Sequence, residues 1–410
     1  MKIDRDRLWR RLMHSAAIGK LGETGLCRLA LSDEDRAVRD WFSAEARALG
    51  CEVRTDAVGN IFARYPGLDP DLPPIAIGSH LDTQPTGGRF DGILGVLAGL
   101  EVVACLAEQG RHLSHPLEIV DWTNEEGSRF APAMVASGAF AGVFPLAYVL
   151  ERADKAGVRF GEALEHIGYA GPGPLAPHRL AAYFELHIEQ GPVLEDKGIE
   201  IGVVTGVQAI RWYDIEITGD CCHAGTTPMA MRRDPSSALG ALLTAVHAIG
   251  TSDPGRSLST VGIIETHPGS RNTVPQSIRL TVDLRHGDDR ALEAMEQALY
   301  RAGETVAGQF KVACAITRGW TSPAVAFDEA CIGFVRDSAR SLGFSHCDIV
   351  SGAGHDAVYV ARVAPTAMIF IPCAEGISHN PRESITPEQA ENGARVLLDA
   401  VIGFDGGTTV

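Results

Sequence analysis

The chain has 410 residues, 45% of them hydrophobic, with 36 Lys plus Arg against 52 Asp plus Glu and a formal net charge of −16. That length supports a sizeable core and two or three domains, and the negative balance argues against nucleic acid and anionic lipid as partners. The nine cysteines are scattered without a CxxC pair, no apolar run is long enough to span a bilayer, and the charged opening Met1-Lys2-Ile3-Asp4-Arg5-Asp6 has no secretory core, so a cytoplasmic globular protein without a membrane partner is expected.

Residues 32–49 read as a helix. Ser32 suits the N-cap with Asp35 three positions on, and Val38, Trp41, Phe42, Ala46 and Leu49 recur at helical spacing. Residues 75–79 (IAIGS) form a buried-type strand after Pro73-Pro74, and 92–109 a long apolar helix ending at Gly110. Residues 117–123 (LEIVDWT) and 183–188 (YFELHI) read as further strands. This alternation predicts an α/β fold, a mixed β-sheet domain flanked by helices. The character changes near residue 209. Residues 210–218 alternate as a half-wet strand does, and 235–249 make a helix with Asp234 as N-cap and Pro235 first. Alternating runs at 258–266, 278–285 and 310–317, with a helix at 289–303, complete an α+β set in β-α-β-β-α-β order. After Pro323 the α/β pattern resumes, with a strand at 366–371 (TAMIFI) and a last helix capped by Thr386, Pro387 and Gln389. The expected organisation is a catalytic domain in two parts, 1–208 and 323–410, interrupted by a smaller domain over 209–322.

Four clusters of potential ligands lie just past predicted strands. His80-Leu81-Asp82 follows IAIGS, and Asn124-Glu125-Glu126 follows LEIVDWT. His187-Ile188-Glu189-Gln190 ends YFELHI, and His379 comes eight positions after TAMIFI. Asp91 opens the 92–109 helix. Ligand crevices of open α/β sheets form at the carboxyl ends of the strands, so the pattern directs imidazoles and carboxylates to one place. Each alone is more simply a core histidine or a solvated charge. Together they suit divalent ions such as Zn²⁺, Mn²⁺, Co²⁺ or Ni²⁺.

The motifs GSHLDT at 78–83 and GGRFDG at 87–92 resemble the first metal motif of the hydantoinase/carbamoylase amidases, a group of the aminoacylase and carboxypeptidase-like di-metal hydrolases. NEEG at 124–127, HIEQG at 187–191, HAGTTP at 223–228, SGAGHDA at 351–357 and GISH at 376–379 are similar to further segments of that family. The resemblance runs from about residue 28 to 383. It implies two divalent ions, with Asp91 bridging, His80 and His187 on one, and Glu126 and His379 on the other. It makes Glu125 the proton carrier and Asp82 the residue that orients His80. It assigns substrate contacts to Gln190, Asn272, Arg285 and Gly354, and oxyanion stabilisation to His223, which belongs to one subunit or acts across a homodimer built on the inserted lid domain. His355 is read equally as a pocket residue or as a structural one. The implied activity is hydrolysis of the carbamoyl C–N bond of a small ureido carboxylate, an N-carbamoyl amino acid. Allantoate and N-carbamoyl-β-alanine are the alternatives. A peptidase or a non-catalytic metal-binding protein is more remote.

Overall fold

A computed structural model describes residues 2–172 and 178–407. Its contacts divide into two compact units, Met1–Thr205 with Ala326–Val410, and Gly206–Val325. Along the chain, β1 (Glu52–Thr55), β2 (Ile61–Tyr65), β3 (Ile75–Ser79), β4 (Leu117–Asp121), β5 (Ala182–Ile188) and β6 (Ile201–Val207) belong to the larger sheet. The strands β7 (Ala209–Thr218), β8 (Ser257–His267), β9 (Ser277–His286) and β10 (Ala313–Ser322) form the smaller one, and β11 (Val325–Ala326), β12 (His346–Ser351) and β13 (Thr366–Ile371) return to the larger. The long helices are α1 (Arg5–Ser15), α2 (Asp33–Ala48), α3 (Ile93–Glu108), α4 (Pro235–Gly250), α5 (Asp289–Phe310), α6 (Glu329–Ser341) and α7 (Pro387–Gly407).

The larger sheet runs β11-β6-β13-β5-β3-β4-β2-β1, with β12 beside β6. Its centre, β13-β5-β3-β4, is parallel, and β6 and β2 flank it antiparallel. Every residue of β3, β4, β5 and β13 is buried, including Glu118 and Asp121 of β4 and Glu185 and His187 of β5, so the largely apolar make-up of these strands reflects cover on both faces. One consequence is decisive for function: Ser79, Asp121, Ile188 and Ile371 all end on the same edge. The helix α3 is buried from Ile93 to Leu106 and lies tight on the sheet. Gly95 permits this approach, because a Cβ there would abut the Leu186 carbonyl oxygen. At α7, the Thr386 N–H donates to Gln389 Oε1 at 2.7 Å and the Gln389 N–H donates to Thr386 Oγ1 at 3.1 Å, the reciprocal cap read from the sequence.

The smaller sheet is antiparallel, ordered β8-β9-β7-β10. Tyr213, Ile215, Ile217, Leu280, Val282 and Leu284 face α4 and α5 and pack on Leu242, Val246, Leu292 and Leu299. The strand expected at 310–317 begins later. The helix α5 continues to Phe310, burying Val306 on its inner face, and stops only where Lys311 turns left-handed at φ 57°. The apolar pair Phe310 and Val312 imitates alternation, but it straddles a helix end. The exit from and return to the larger sheet are adjacent, since the Phe327 N–H donates to Thr205 O at 3.0 Å. Among the described residues no helix is long and apolar enough to cross a membrane.

Candidate metal centre

Asp91 stands at the middle of the carboxyl edge, directly before α3. Its Oδ1 is 3.1 Å from His187 Nε2 and 3.8 Å from His80 Nε2. Its Oδ2 is 3.3 Å from His379 Nε2, which is itself 3.4 Å from Glu126 Oε2. The two oxygens therefore face two separate donor sets, His80 with His187 and Glu126 with His379, each close enough for its ligand atoms to share one ion with Asp91. Nitrogen and carboxylate oxygen donors at this spacing suit divalent first-row metals, and one carboxylate can serve both positions. The residues present thus fit a pair of ions.

The local backbone explains the convergence. Gly92 sits at φ 70°, and a Cβ there would run into the His80 imidazole. Asn124, Gln190 and His379 adopt left-handed φ of 60°, 58° and 54° although none is glycine. Each such residue costs roughly 1–2 kcal/mol, which the surrounding contacts must offset.

Electrostatics follow from burial. Desolvation resists the charge on His187, but its hydrogen bond to Asp91 prevails and holds the imidazole up at about 9. The hydrogen bond to Asp91 likewise raises His379 to about 9. Asp91 is held well below the usual carboxylate range, because these two imidazoles outweigh its burial. Burial, opposed by Asp91, brings His80 down to about 4. Burial and then Asp91 push Glu126 up to about 7. Burial, with Asp356 and Glu126 adding to it, pushes Glu125 well above the usual range. Glu125 Oε2 lies 3.4 Å from His80 Nε2. A metal needs unprotonated imidazole nitrogens, so an ion held by His187 or His379 would enter with release of their protons. Metal affinity is therefore expected to rise with pH and level off near about 9, with more than one proton released at neutral pH. Titration calorimetry in buffers of different ionisation enthalpy reads this directly, and proton-neutral uptake would contradict it.

The surroundings refine several sequence expectations. His80 is oriented by the Asp82 backbone carbonyl, 2.9 Å from its Nδ1, whereas the Asp82 carboxylate is 3.8 Å away. That carboxylate instead accepts the N–H groups of Glu125 at 3.1 Å and Glu126 at 3.3 Å, so it ties two loops together. The Gln190 amide donates to Asp91 Oδ2 at 2.9 Å. The buried His355 pairs with Ser351 Oγ at 2.9 Å and packs edge-on against His187. A Cβ on Gly354 would press on Met134 Cε.

In the smaller unit, Cys222–His223 pairs with Thr273–Val274, and the Ala224 N–H donates to Asn272 O at 3.0 Å. The exposed His223 and Asn272 are therefore neighbours. Arg285 grips Asp283, two residues back on β9, with its Nε 3.0 Å from Oδ1 and its NH2 2.8 Å from Oδ2. Asp283 also accepts from Trp212 Nε1.

Sequence reasoning missed three supports. Gln84 holds Glu126 through both its backbone N–H and its side-chain amide. The Ser378 hydroxyl donates to Asp91 Oδ2 at 2.8 Å. Glu383, fully buried, accepts the N–H groups of Phe90 at 2.8 Å and Asp91 at 3.1 Å. Gly88 leaves room for its carboxylate, where a Cβ would collide. Beside Arg382 in a polar turn, Glu383 carries no local sign of burial.

The chain is similar to known proteins over nearly its whole length. The family model described as peptidase family M20/M25/M40 matches residues 76–402. The chain is 43% identical to the N-carbamoyl-L-amino-acid amidohydrolase of Rhizobium meliloti, covering 98% of this chain and 96% of that one. It is 35% identical to the ureidoglycolate hydrolase of Arabidopsis thaliana, covering 97% and 86%. The crystal structure of a hydantoinase/carbamoylase family amidase from Burkholderia multivorans superposes with a TM-score of 0.96 at 50% identity, covering 98% of both chains.

Proposed function

The chain belongs to peptidase family M20/M25/M40, and we propose that within it this protein is a di-metal amidohydrolase that hydrolyses the carbamoyl C–N bond of N-carbamoyl amino acids. The observation that carries the proposal is Asp91, whose two oxygens face the two donor sets, with Glu125 buried beside His80. Asp91 would bridge, His80 and His187 would hold one ion, and Glu126 and His379 the other. When bound, the ions supply Lewis acidity to the carbonyl and to the attacking water.

The remaining work falls to side chains. Glu125 takes a proton from the attacking water and passes it to the leaving nitrogen. The products are the free amino acid and carbamate, which decomposes to ammonia and carbon dioxide. His223 donates to the developing oxyanion. Arg285 receives the substrate carboxylate, which takes up the fork that Asp283 occupies here, and Gln190 contacts the ureido or carboxylate group. Asn272 lies beside His223 in the loop at the opposite end of β9 from Arg285, so these two would serve a substrate held by the other subunit of the homodimer. Gly354 leaves space beside the substrate. The smaller unit serves as lid and homodimer interface, and the nine free thiols of the whole chain suit it to the cytoplasm. The identity to a ureidoglycolate hydrolase favours a second reading, a ureido substrate other than a carbamoyl amino acid.

The test strips the protein with chelator and refills it with Mn²⁺, Co²⁺, Ni²⁺ or Zn²⁺. N-carbamoyl-α-amino acids, N-carbamoyl-β-alanine, allantoate and dipeptides are then compared by released ammonia and free amine. Metal-dependent ammonia release, highest on N-carbamoyl-α-amino acids, is expected. Cleavage of dipeptides alone would overturn the proposal.

A further inference from the structure

Behind the metal-facing loops lies a charged network shut off from solvent. Arg39, on α2, is fully buried. Its Nε donates to Asp35 Oδ2 at 2.8 Å, its NH1 to Gly59 O at 2.8 Å and its NH2 to Thr123 Oγ1 at 3.2 Å. NH1 also lies 3.4 Å from Asp121 Oδ2, an ion pair outside hydrogen-bond geometry. Asp121 Oδ1 in turn accepts the Leu81 N–H at 3.0 Å. Leu81 stands between His80 and Asp82, and Thr123 stands at the root of Asn124-Glu125-Glu126. One guanidinium therefore reaches the bases of both loops. From the other side the buried Arg28 donates through Nε to Leu81 O at 2.8 Å, so both polar groups of the Leu81 backbone are engaged. The Thr123 N–H donates to Asn60 Oδ1 at 3.0 Å.

Such a cluster is a poor way to gain stability. Removing two carboxylates and two guanidinium groups from water costs several kcal/mol per ion, and apolar packing of equal volume often serves a fold as well. What a cluster of directional contacts does supply is position. We propose that Arg39 is a positioning residue for the metal centre, setting His80 through Asp121 and Glu126 through Thr123. The inference rests on reading the centre as a two-ion site, and it predicts that the two positions can be loosened separately.

In Asp121→Asn, a single carbonyl oxygen cannot serve both Leu81 and Arg39, so one link is lost. This variant is expected to weaken the ion at His80 and His187 by about 10- to 100-fold and to leave the ion at Glu126 and His379 within about threefold. Thr123→Val removes the hydroxyl at near-constant volume and is expected to do the opposite. Arg39→Lys, a point charge in place of a fork, is expected to weaken both. Chelator competition with Co²⁺, read by ions retained and by the visible spectrum of each position, measures this without any turnover. The melting temperature of the metal-free forms reports folding separately. If Arg39→Lys fails to fold, the two milder variants carry the test. Both variants keeping two ions at wild-type affinity would overturn the inference. So would an equal loss of both ions in each, in proportion to a lowered melting temperature, since that assigns Arg39 to the fold alone. A wild-type chain that holds no ion would instead overturn the reading of the centre.

Discussion

Glu125→Gln is expected to retain its metal and to lose about 10²- to 10⁴-fold in turnover, the range spanned by general acid–base groups. The side chain keeps its volume, and its backbone N–H still donates to Asp82, so the loop has no reason to move. The property that disappears is the ability to take and return a proton. Burial already holds the Glu125 carboxyl well above its ordinary range, with Asp356 and Glu126 acting in the same sense. Metal content by elemental analysis, measured beside kcat, separates the two effects. A variant with full metal and near wild-type kcat would remove Glu125 from the mechanism.

The second large effect belongs to Asp91→Asn. The amide keeps one oxygen and turns an N–H₂ group toward the other donor set, so at least one ion should be lost, with activity falling below detection. The variant also tests the electrostatic account. Asp91 is what holds His187 and His379 up at about 9 in the metal-free chain. Without it both imidazoles should titrate lower, and any residual metal uptake should release fewer protons and depend less on pH. A pH profile as steep as that of the wild type would contradict this assignment.

Much of the architecture was legible in the sequence because the central strands are buried on both faces. Residues 75–79 and 366–371 are mainly apolar runs, 183–188 is apolar apart from Glu185 and His187, and the polar clusters at their ends mark the carboxyl edge. The alternating strands of the smaller unit were equally plain, since one face packs on α4 and α5 and the other does not. The strand expected at 310–317 is present but starts at Ala313, because helix length depends on packing of Val306 and Leu299, which a two-residue alternation does not report. Supporting residues were hidden for a related reason. Arg39 occupies a polar position beside Val38 in an amphipathic helix, and Glu383 follows Arg382. Nothing local distinguishes a charge pointing at another element from one pointing at water. The role of Asp82 was half-read: its position beside His80 was plain, but the choice between carbonyl and carboxylate is a matter of backbone path.

The hydrogen bond between Phe327 and Thr205 has a practical consequence. The host sheet has its two loose ends side by side, so the intervening segment behaves as cargo plugged into a socket. A short turn could replace it, or a foreign module could be spliced in, without re-threading any strand that leads to Asp91.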